Sequence, residues 1–216
     1  WFAQRFHRPQ LHAIAEMDGV LRLCGIEPRQ HSPVLYALAT DNQAIDERLD
    51  RRGVRGRRIA VFCPLTRWPT KNWPLSEFVD LVKKLPEDFF VIFTGTASEQ
   101  ALISEAMARL APTRAASFAG CLSLSEYFAL VSIAQLVVTG DSLPMHVASA
   151  YNRPLVALFG PTDESRVAPR SEGSVVVRAD TDCHRCYRRS YCPRNCIGRI
   201  TVAQVGQAID EVLGAH

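Results

Sequence analysis

The chain has 216 residues and a formal net charge of +3. This length suits one large domain, or a domain with an extension, and is enough to bury a core. The charge is too small to indicate nucleic-acid binding by itself. No apolar stretch approaches the roughly 18 residues that cross a bilayer, and no secretory signal is visible in the residues present.

Short apolar runs of strand type alternate with helical segments from residue 59 onward. A helix is predicted at 11–26, before this pattern begins. Strands are predicted at 59–63, 89–94, 115–120, 136–139, 155–159 and 174–179, and helices at 75–85, 97–110, 124–134, 144–152 and 201–215. Such alternation indicates parallel strands with right-handed crossovers. We therefore expect an α/β fold with a Rossmann-like, doubly wound parallel sheet.

Residues 136–150, LVVTGDSLPMHVASA, read as a buried strand that turns directly into a helix. Asp141 and Ser142 are residue types that cap helix N-termini, and Pro144 fits the first helical turn. The free N–H groups and the helix dipole at such a junction favour a diphosphate. In an open parallel sheet, ligands bind beyond the carboxyl ends of the strands, so this junction is a candidate site.

This segment resembles the donor-binding signature of glycosyltransferase family 9, the ADP-heptose:lipopolysaccharide heptosyltransferases. Residues 66–85 resemble the Lys-x-Trp-Pro segment of that family, and residues 154–169 resemble its Phe-Gly-Pro-Thr loop. A cysteine cluster that runs into residues 197–205 is a fourth match. The four matches follow the order of the family over roughly residues 59–210.

The resemblance implies the C-terminal domain of a GT-B glycosyltransferase, in which two Rossmann-like domains face a cleft. The chain begins with Trp1 and not with Met, so we expect a piece of a longer polypeptide. Residues 1–50 are interpreted as a connector or the end of an N-terminal domain, and residues 51–216 as the donor-binding domain. The acceptor-binding N-terminal domain is expected to be a missing partner.

The function that the resemblance implies is inverting transfer of heptose from ADP-heptose to a lipid-linked acceptor, the lipopolysaccharide inner core. The base that deprotonates the acceptor would come from the missing domain. Enzymes of this GT-B architecture generally stabilise the leaving diphosphate with a helix dipole and basic side chains in place of a metal, so the resemblance implies that no cofactor is required. We expect a cytoplasmic protein, with the arginine run at 185–199 as a candidate for peripheral attraction to the inner face of the inner membrane.

Lys71 and Asp141 are the candidate catalytic residues. Lys71 would neutralise charge that grows on the departing diphosphate, although it could also be an exposed lysine at a helix start. Asp141 could cap the helix, orient Lys71 or accept from sugar hydroxyls. The candidate donor-binding residues are Thr66, Thr94, Gly95, Glu99, Ser142, Leu143 and His146.

Three of these donor-binding candidates also have simple structural interpretations. Thr66 could be an ordinary turn residue, Glu99 could be an acidic residue in the first turn of a helix, and His146 could be a partly buried helical side chain. Leu143 stands where the family usually has glycine. Its side chain could turn into the core and leave binding intact, or it could crowd the donor.

Four cysteines, Cys183, Cys186, Cys192 and Cys196, lie within fourteen positions. Four thiolates could hold a structural zinc ion tetrahedrally. Disulfides and reduced thiols packed in a loop are the alternatives.

Three other functions stay open at the level of sequence. The chain could belong to another GT-B transferase or epimerase that uses a uridine donor, or it could be a degenerate, non-catalytic transferase domain. A small zinc module for nucleic acid is disfavoured by the lack of interleaved aromatic residues, so no nucleic-acid partner is expected.

Overall fold

A computed structural model describes residues 11–28, 33–183 and 185–214. Its centre is a six-stranded sheet in the order β3-β2-β1-β4-β5-β6, in which all neighbouring strands are parallel. The strands are β1 (Arg58–Cys63), β2 (Phe89–Phe93), β3 (Ala115–Ser117), β4 (Leu136–Gly140), β5 (Leu155–Phe159) and β6 (Ser174–Arg178). The predicted α/β fold with a doubly wound sheet is therefore confirmed.

Eight α-helices occur in the described part of the chain. They are α1 (Ala13–Leu23), α2 (Ala39–Arg51), α3 (Leu75–Lys84), α4 (Gln100–Met107), α5 (Leu124–Ser132), α6 (Leu143–Ala150), α7 (Glu164–Val167) and α8 (Val202–Gly214). None of the helices formed by these residues is long and apolar enough to cross a membrane.

Side chains of the central strands alternate between two hydrophobic layers, one on each face of the sheet. On β1, Ala60 and Phe62 face the layer formed with α3 and α8, whereas Ile59 and Val61 face the layer formed with α2, α5 and α6. Successive residues of a strand point to opposite faces, so strands buried on both sides read as continuous apolar runs. This explains why β1, β2, β4 and β5 read as strands in the sequence.

The predicted third strand, 115–120, is three residues too long. The chain leaves the sheet after Ser117, and Gly120 adopts a left-handed conformation with φ of 69°. A Cβ atom at Gly120 would approach the Cα atom of Ala97 to 2.9 Å, so the turn requires glycine. The apolar residues Phe118 and Ala119 are buried below this turn and not in a strand.

Helix α2 was not predicted, because its sequence ATDNQAIDERLDR is mostly polar. Two apolar residues four positions apart, Ile45 and Leu49, bury one side of the helix against the sheet layer that contains α5. Since α2 ends at Arg51, it crosses the predicted domain boundary between residues 50 and 51. The division of the chain into residues 1–50 and 51–216 stays a prediction.

Trp73 anchors the loop between β1 and α3. Its side chain is buried, and its Nε1 donates a hydrogen bond to the carbonyl oxygen of Ile200 at 2.8 Å. Its ring also meets the ring of Phe78 nearly edge-on, at 5.0 Å between centroids. This anchor holds Lys71, two residues earlier, at the carboxyl edge of the sheet.

A second arginine-rich segment, residues 48–58, makes contacts that hold parts of the fold together. The guanidinium of Arg57 donates to the carbonyl oxygens of Thr113 and Phe89, at 2.7 and 2.8 Å, and so joins the loops at the amino edge of the sheet. Arg48 forms an ion pair of 2.9 Å with Glu126 at the start of α5. These contacts give much of this segment a structural role.

We expect Glu126→Gln to flatten the acid dependence of stability. The carboxylate of Glu126 accepts from the Ser123 amide and from Arg48, and these bonds lower its pKa. Because the pKa of Glu126 is lower in the folded chain than in the unfolded chain, its ionised carboxylate stabilises the fold. This stabilisation is complete above the unfolded pKa of about 4.3 and is lost as pH falls through the lower folded pKa. The variant should also lose about 0.5–1 kcal/mol at neutral pH.

Urea unfolding at a series of pH values measures this effect. Glu77→Gln is the matched control, since Glu77 holds the same third position in α3 without a capping box or an ion pair. Equal pH profiles for Glu126→Gln and the unmodified chain would contradict the prediction.

Candidate functional site

A pocket of about 450 Å³ opens at the carboxyl edge of β1, β2 and β4. It receives six of the seven predicted donor-binding residues, which come from four separate stretches of the chain. They are Thr66, Thr94, Gly95, Glu99, Ser142 and Leu143. The volume lies in the range of small-molecule sites. The assignment of these residues to donor binding stays a prediction, but the fold does bring them together.

Lys71 and Asp141 form an ion pair beside this pocket. The Lys71 Nζ lies 2.6 Å from a carboxylate oxygen of Asp141 and 3.2 Å from its backbone carbonyl oxygen. The two side chains are only 13% and 8% exposed. Because the pair is largely shielded from water, it fixes the loop after β1 to the loop after β4 and holds the ammonium in one place.

Asp141 does not cap helix α6. Ser142 occupies the N-cap position, and no side chain caps the helix there. Of the roles considered from the sequence, the one seen in this structure is that the Asp141 carboxylate orients Lys71. The start of α6 has no side-chain cap and lies next to the Lys71 ammonium, so the dipole of α6 and this cation together favour an anion there.

Leu143 is not turned into the core. It is 52% exposed and lines the mouth of the pocket together with Pro144. Leu124, 59% exposed, lines the same pocket from the start of α5. The leucine that replaces the usual glycine therefore adds apolar surface at the entrance.

Thr66 and Glu99 each make local hydrogen bonds at the pocket. The Thr66 hydroxyl donates to the carbonyl of Trp68 at 3.0 Å, and its amide donates to Asn72 at 2.8 Å. One carboxylate oxygen of Glu99 accepts from the Thr96 amide at 2.7 Å, as part of a capping box. The other Glu99 oxygen makes no hydrogen bond in the described part of the chain.

The wall of the pocket contains a polar group that sequence reasoning missed. The Cys63 thiol lies 3.0 Å from the Thr94 hydroxyl and 3.5 Å from the hydroxyl of Tyr127. Burial raises the pKa of Cys63 and raises that of Tyr127 well above its usual value, so both groups stay neutral. Neither residue was among the candidates, because Cys63 ends an apolar strand and Tyr127 lies on a helix that carries no motif.

His146 lies on α6, outside the residues that line the pocket. Desolvation lowers its pKa; the Asp141 carboxylate opposes this effect, and the charges of His12 and Lys71 add to the lowering. The imidazole is therefore neutral at physiological pH and does not supply a second cation.

The cysteine loop (residues 183–196) holds all four clustered cysteines as free thiols. Desolvation raises the pKa of Cys196, and the neighbouring thiols act in the same direction. Among the residues that the structure describes, no group of three or more Cys, His, Asp or Glu side chains is placed to hold a metal ion. Structural zinc at Cys183, Cys186, Cys192 and Cys196 stays a prediction.

The fold, with its site between the loops after β1, β2 and β4, is that of one half of a GT-B glycosyltransferase. The solved structure of Escherichia coli ADP-heptose lipopolysaccharide heptosyltransferase II superposes with a TM-score of 0.71 at 26% identity, covering 87% of this chain and 56% of that chain. A family 9 glycosyltransferase from Veillonella parvula superposes with a TM-score of 0.82 at 20% identity, covering 98% of this chain and 63% of that chain.

Sequence comparison points to the same family. Glycosyltransferase family 9 (heptosyltransferase) matches residues 9–196. Lipopolysaccharide heptosyltransferase 2 of Escherichia coli strain K12 is 36% identical over 134 residues, which are 60% of this chain and 38% of that relative. The chain belongs to glycosyltransferase family 9, as the sequence motifs indicated, and spans well under half the length of this relative.

We expect Gly140→Ala to destabilise the chain by about 1–3 kcal/mol, because the new methyl group overpacks the end of β4. A Cβ atom there would lie 2.9 Å from the Lys71 carbonyl oxygen and 3.3 Å from the Thr66 methyl group. The backbone carrying Lys71 would have to move.

Urea unfolding measures the loss, with Gly206→Ala as the control. A Cβ atom at Gly206, inside α8, meets nothing within 4 Å. That variant should gain about 0.4–1 kcal/mol, since alanine loses less conformational entropy than glycine in a helix. A Gly140→Ala variant as stable as the unmodified chain would show that the lysine loop adjusts freely.

Proposed function

We propose that this chain is the donor-binding half of a heptosyltransferase that takes heptose from ADP-heptose and transfers it, with inversion, to the lipopolysaccharide inner core. Membership of family 9 supports the reaction class, and the similarity to Escherichia coli ADP-heptose lipopolysaccharide heptosyltransferase II supports donor and acceptor. The observation that carries the proposal is the Lys71–Asp141 pair, held at 2.6 Å beside the helix start and the pocket.

The chemistry at this site is charge stabilisation. Bond cleavage at the donor sugar leaves negative charge on the diphosphate, and a fixed ammonium together with the dipole of α6 would stabilise that charge. Asp141 holds Lys71 in place, so the ammonium need not reorganise during the reaction. These groups would act without a required cofactor.

The pocket would hold the nucleoside. Its apolar wall, which includes Phe118, Leu122 and Tyr127, suits the faces of a nucleobase. The carboxylate oxygen of Glu99 that makes no other bond would accept from a ribose hydroxyl. Leu143, at the mouth, would contact the donor and not exclude it.

The acceptor side of the reaction would lie outside this chain. We propose that an N-terminal domain supplies the base and binds the lipid-linked core. The exposed arginines of the cysteine loop, with few carboxylates nearby, would favour a cytoplasmic protein that associates with the inner face of the inner membrane.

Calorimetric titration with ADP, ADP-heptose and UDP tests the donor assignment. ADP should bind with micromolar to low-millimolar affinity and UDP much more weakly. Lys71→Ala should weaken ADP binding by about tenfold or more, the effect of losing one charge-assisted contact. Lys83→Ala, which removes an exposed lysine paired with Asp80 on α3, is the control and should not change the affinity.

A folded sample that binds none of the three ligands would contradict the proposal. UDP binding tighter than ADP binding would favour a transferase or epimerase with a uridine donor. Unchanged ADP affinity in Lys71→Ala, with normal thermal unfolding, would remove Lys71 from the site.

A further inference from the structure

The Lys71–Asp141 pair leaves the diphosphate site with little net positive charge. The ammonium is matched by a carboxylate oxygen at 2.6 Å, and both side chains are mostly buried. A diphosphate carries several negative charges, and it would meet the Asp141 carboxylate as well as the ammonium. His146 is neutral and adds no positive charge, so a further cation near Lys71 would strengthen the binding of a diphosphate.

Arg189 shares an aromatic contact with Lys71. Its guanidinium carbon is 4.7 Å from the centre of the Trp68 indole ring, and the Lys71 Nζ is 4.3 Å from the same centre. One aromatic ring thus holds two cations through cation–π contacts. Trp68 is partly buried, so the ring gives the exposed arginine a defined resting place.

The cysteine loop that carries Arg189 is fastened to the site from both sides. The Thr70 hydroxyl, next to Lys71, donates to the backbone carbonyl of Arg188, and the Tyr187 amide donates to the Pro161 carbonyl at 2.9 Å. Arg185 forms an ion pair of 2.9 Å with the buried Asp163. These contacts hold the cysteine loop against the loop that carries Lys71.

The charge of Arg189 is available for a ligand. Arg185 and Arg178 are both paired with carboxylates of the segment 163–164. Within the described residues, the Arg189 side chain has no carboxylate partner and contacts the face of Trp68, while the backbone carbonyl oxygen of Arg189 accepts from the Thr70 hydroxyl at 3.3 Å. A guanidinium is also well suited to phosphate, because its planar donors can bind two oxygens at once.

We propose that Arg189 is a second cation of the diphosphate site and binds the donor phosphates together with Lys71. The inference rests on the proposed function and adds a binding residue to it. Arg189 supplies the net positive charge, Lys71 is held in place by Asp141, and Trp68 contacts both cations. The same ligand chemistry describes a nucleoside diphosphate and inorganic pyrophosphate.

The test compares ADP, AMP, adenosine and pyrophosphate binding by calorimetry in Arg189→Ala and Arg188→Ala. Arg188 is an exposed neighbour of equal charge whose side chain makes no contact within the described chain; only its backbone carbonyl is used. Arg189→Ala should weaken ADP and pyrophosphate binding by about tenfold, AMP binding less, and adenosine binding not at all. Arg188→Ala should change none of these affinities by more than about twofold.

Two further variants separate charge from structure. Arg189→Gln keeps most of the side-chain length without the charge and should lose ADP affinity as Arg189→Ala does. Arg189→Lys keeps the charge and should restore most of it. Thermal unfolding of all variants should match that of the unmodified chain, because Arg189 is exposed.

Unchanged ADP affinity in Arg189→Ala, or equal losses in Arg188→Ala and Arg189→Ala, would overturn the inference. An equal loss for adenosine would also overturn it, since adenosine carries no phosphate. Failure of the unmodified chain to bind ADP would instead overturn the proposed function. The two failures are therefore distinguishable.

Discussion

The short contact between Lys71 and Asp141 ties together the two strand-end loops on which the whole site depends. One loop follows β1 and the other follows β4, and these strands are neighbours in the sheet. Their approach is close enough that Gly140 has no room for a side chain, and Trp73 fixes the first loop from below. The position of the ammonium, the shape of the pocket and the start of α6 all depend on this ion pair.

The ion pair also has an electrostatic consequence for ligand binding. A carboxylate that orients a lysine cancels its charge, so precise placement and net attraction have to come from different residues. The proposed site separates the two roles: the charge of Lys71 is paired with Asp141, whereas Arg189 contacts Trp68 without a carboxylate partner in the described chain. Trp68 belongs to the same loop as Lys71, so a single segment positions both cations.

Sequence reasoning succeeded where burial on both faces of the sheet produces long apolar runs. β1, β2, β4 and β5 were found within one residue at each end, and the topology then brought Thr66, Glu99 and Leu143 to one pocket. It failed where structure depends on contacts between distant residues. Helix α2 buries only two side chains, and its other residues are mostly polar. The contact of Arg189 with Trp68 joins residues far apart in the chain. The Tyr127 hydroxyl contacts the Cys63 thiol in the pocket wall, and no local sequence pattern predicts this contact.

The first turn of α6 offers few backbone donors to an anion. Pro144 has no N–H, and the amide of Met145 already donates to the Ser142 carbonyl. If a diphosphate binds at this edge of the sheet as proposed, its attraction would depend less on backbone N–H groups than on side-chain cations such as the exposed Arg189. Charges in solvent are screened by salt over about 10 Å at an ionic strength of 0.1 M. The proposed affinity would therefore fall with ionic strength, and a dissociation constant measured in dilute buffer would overstate binding under cellular salt.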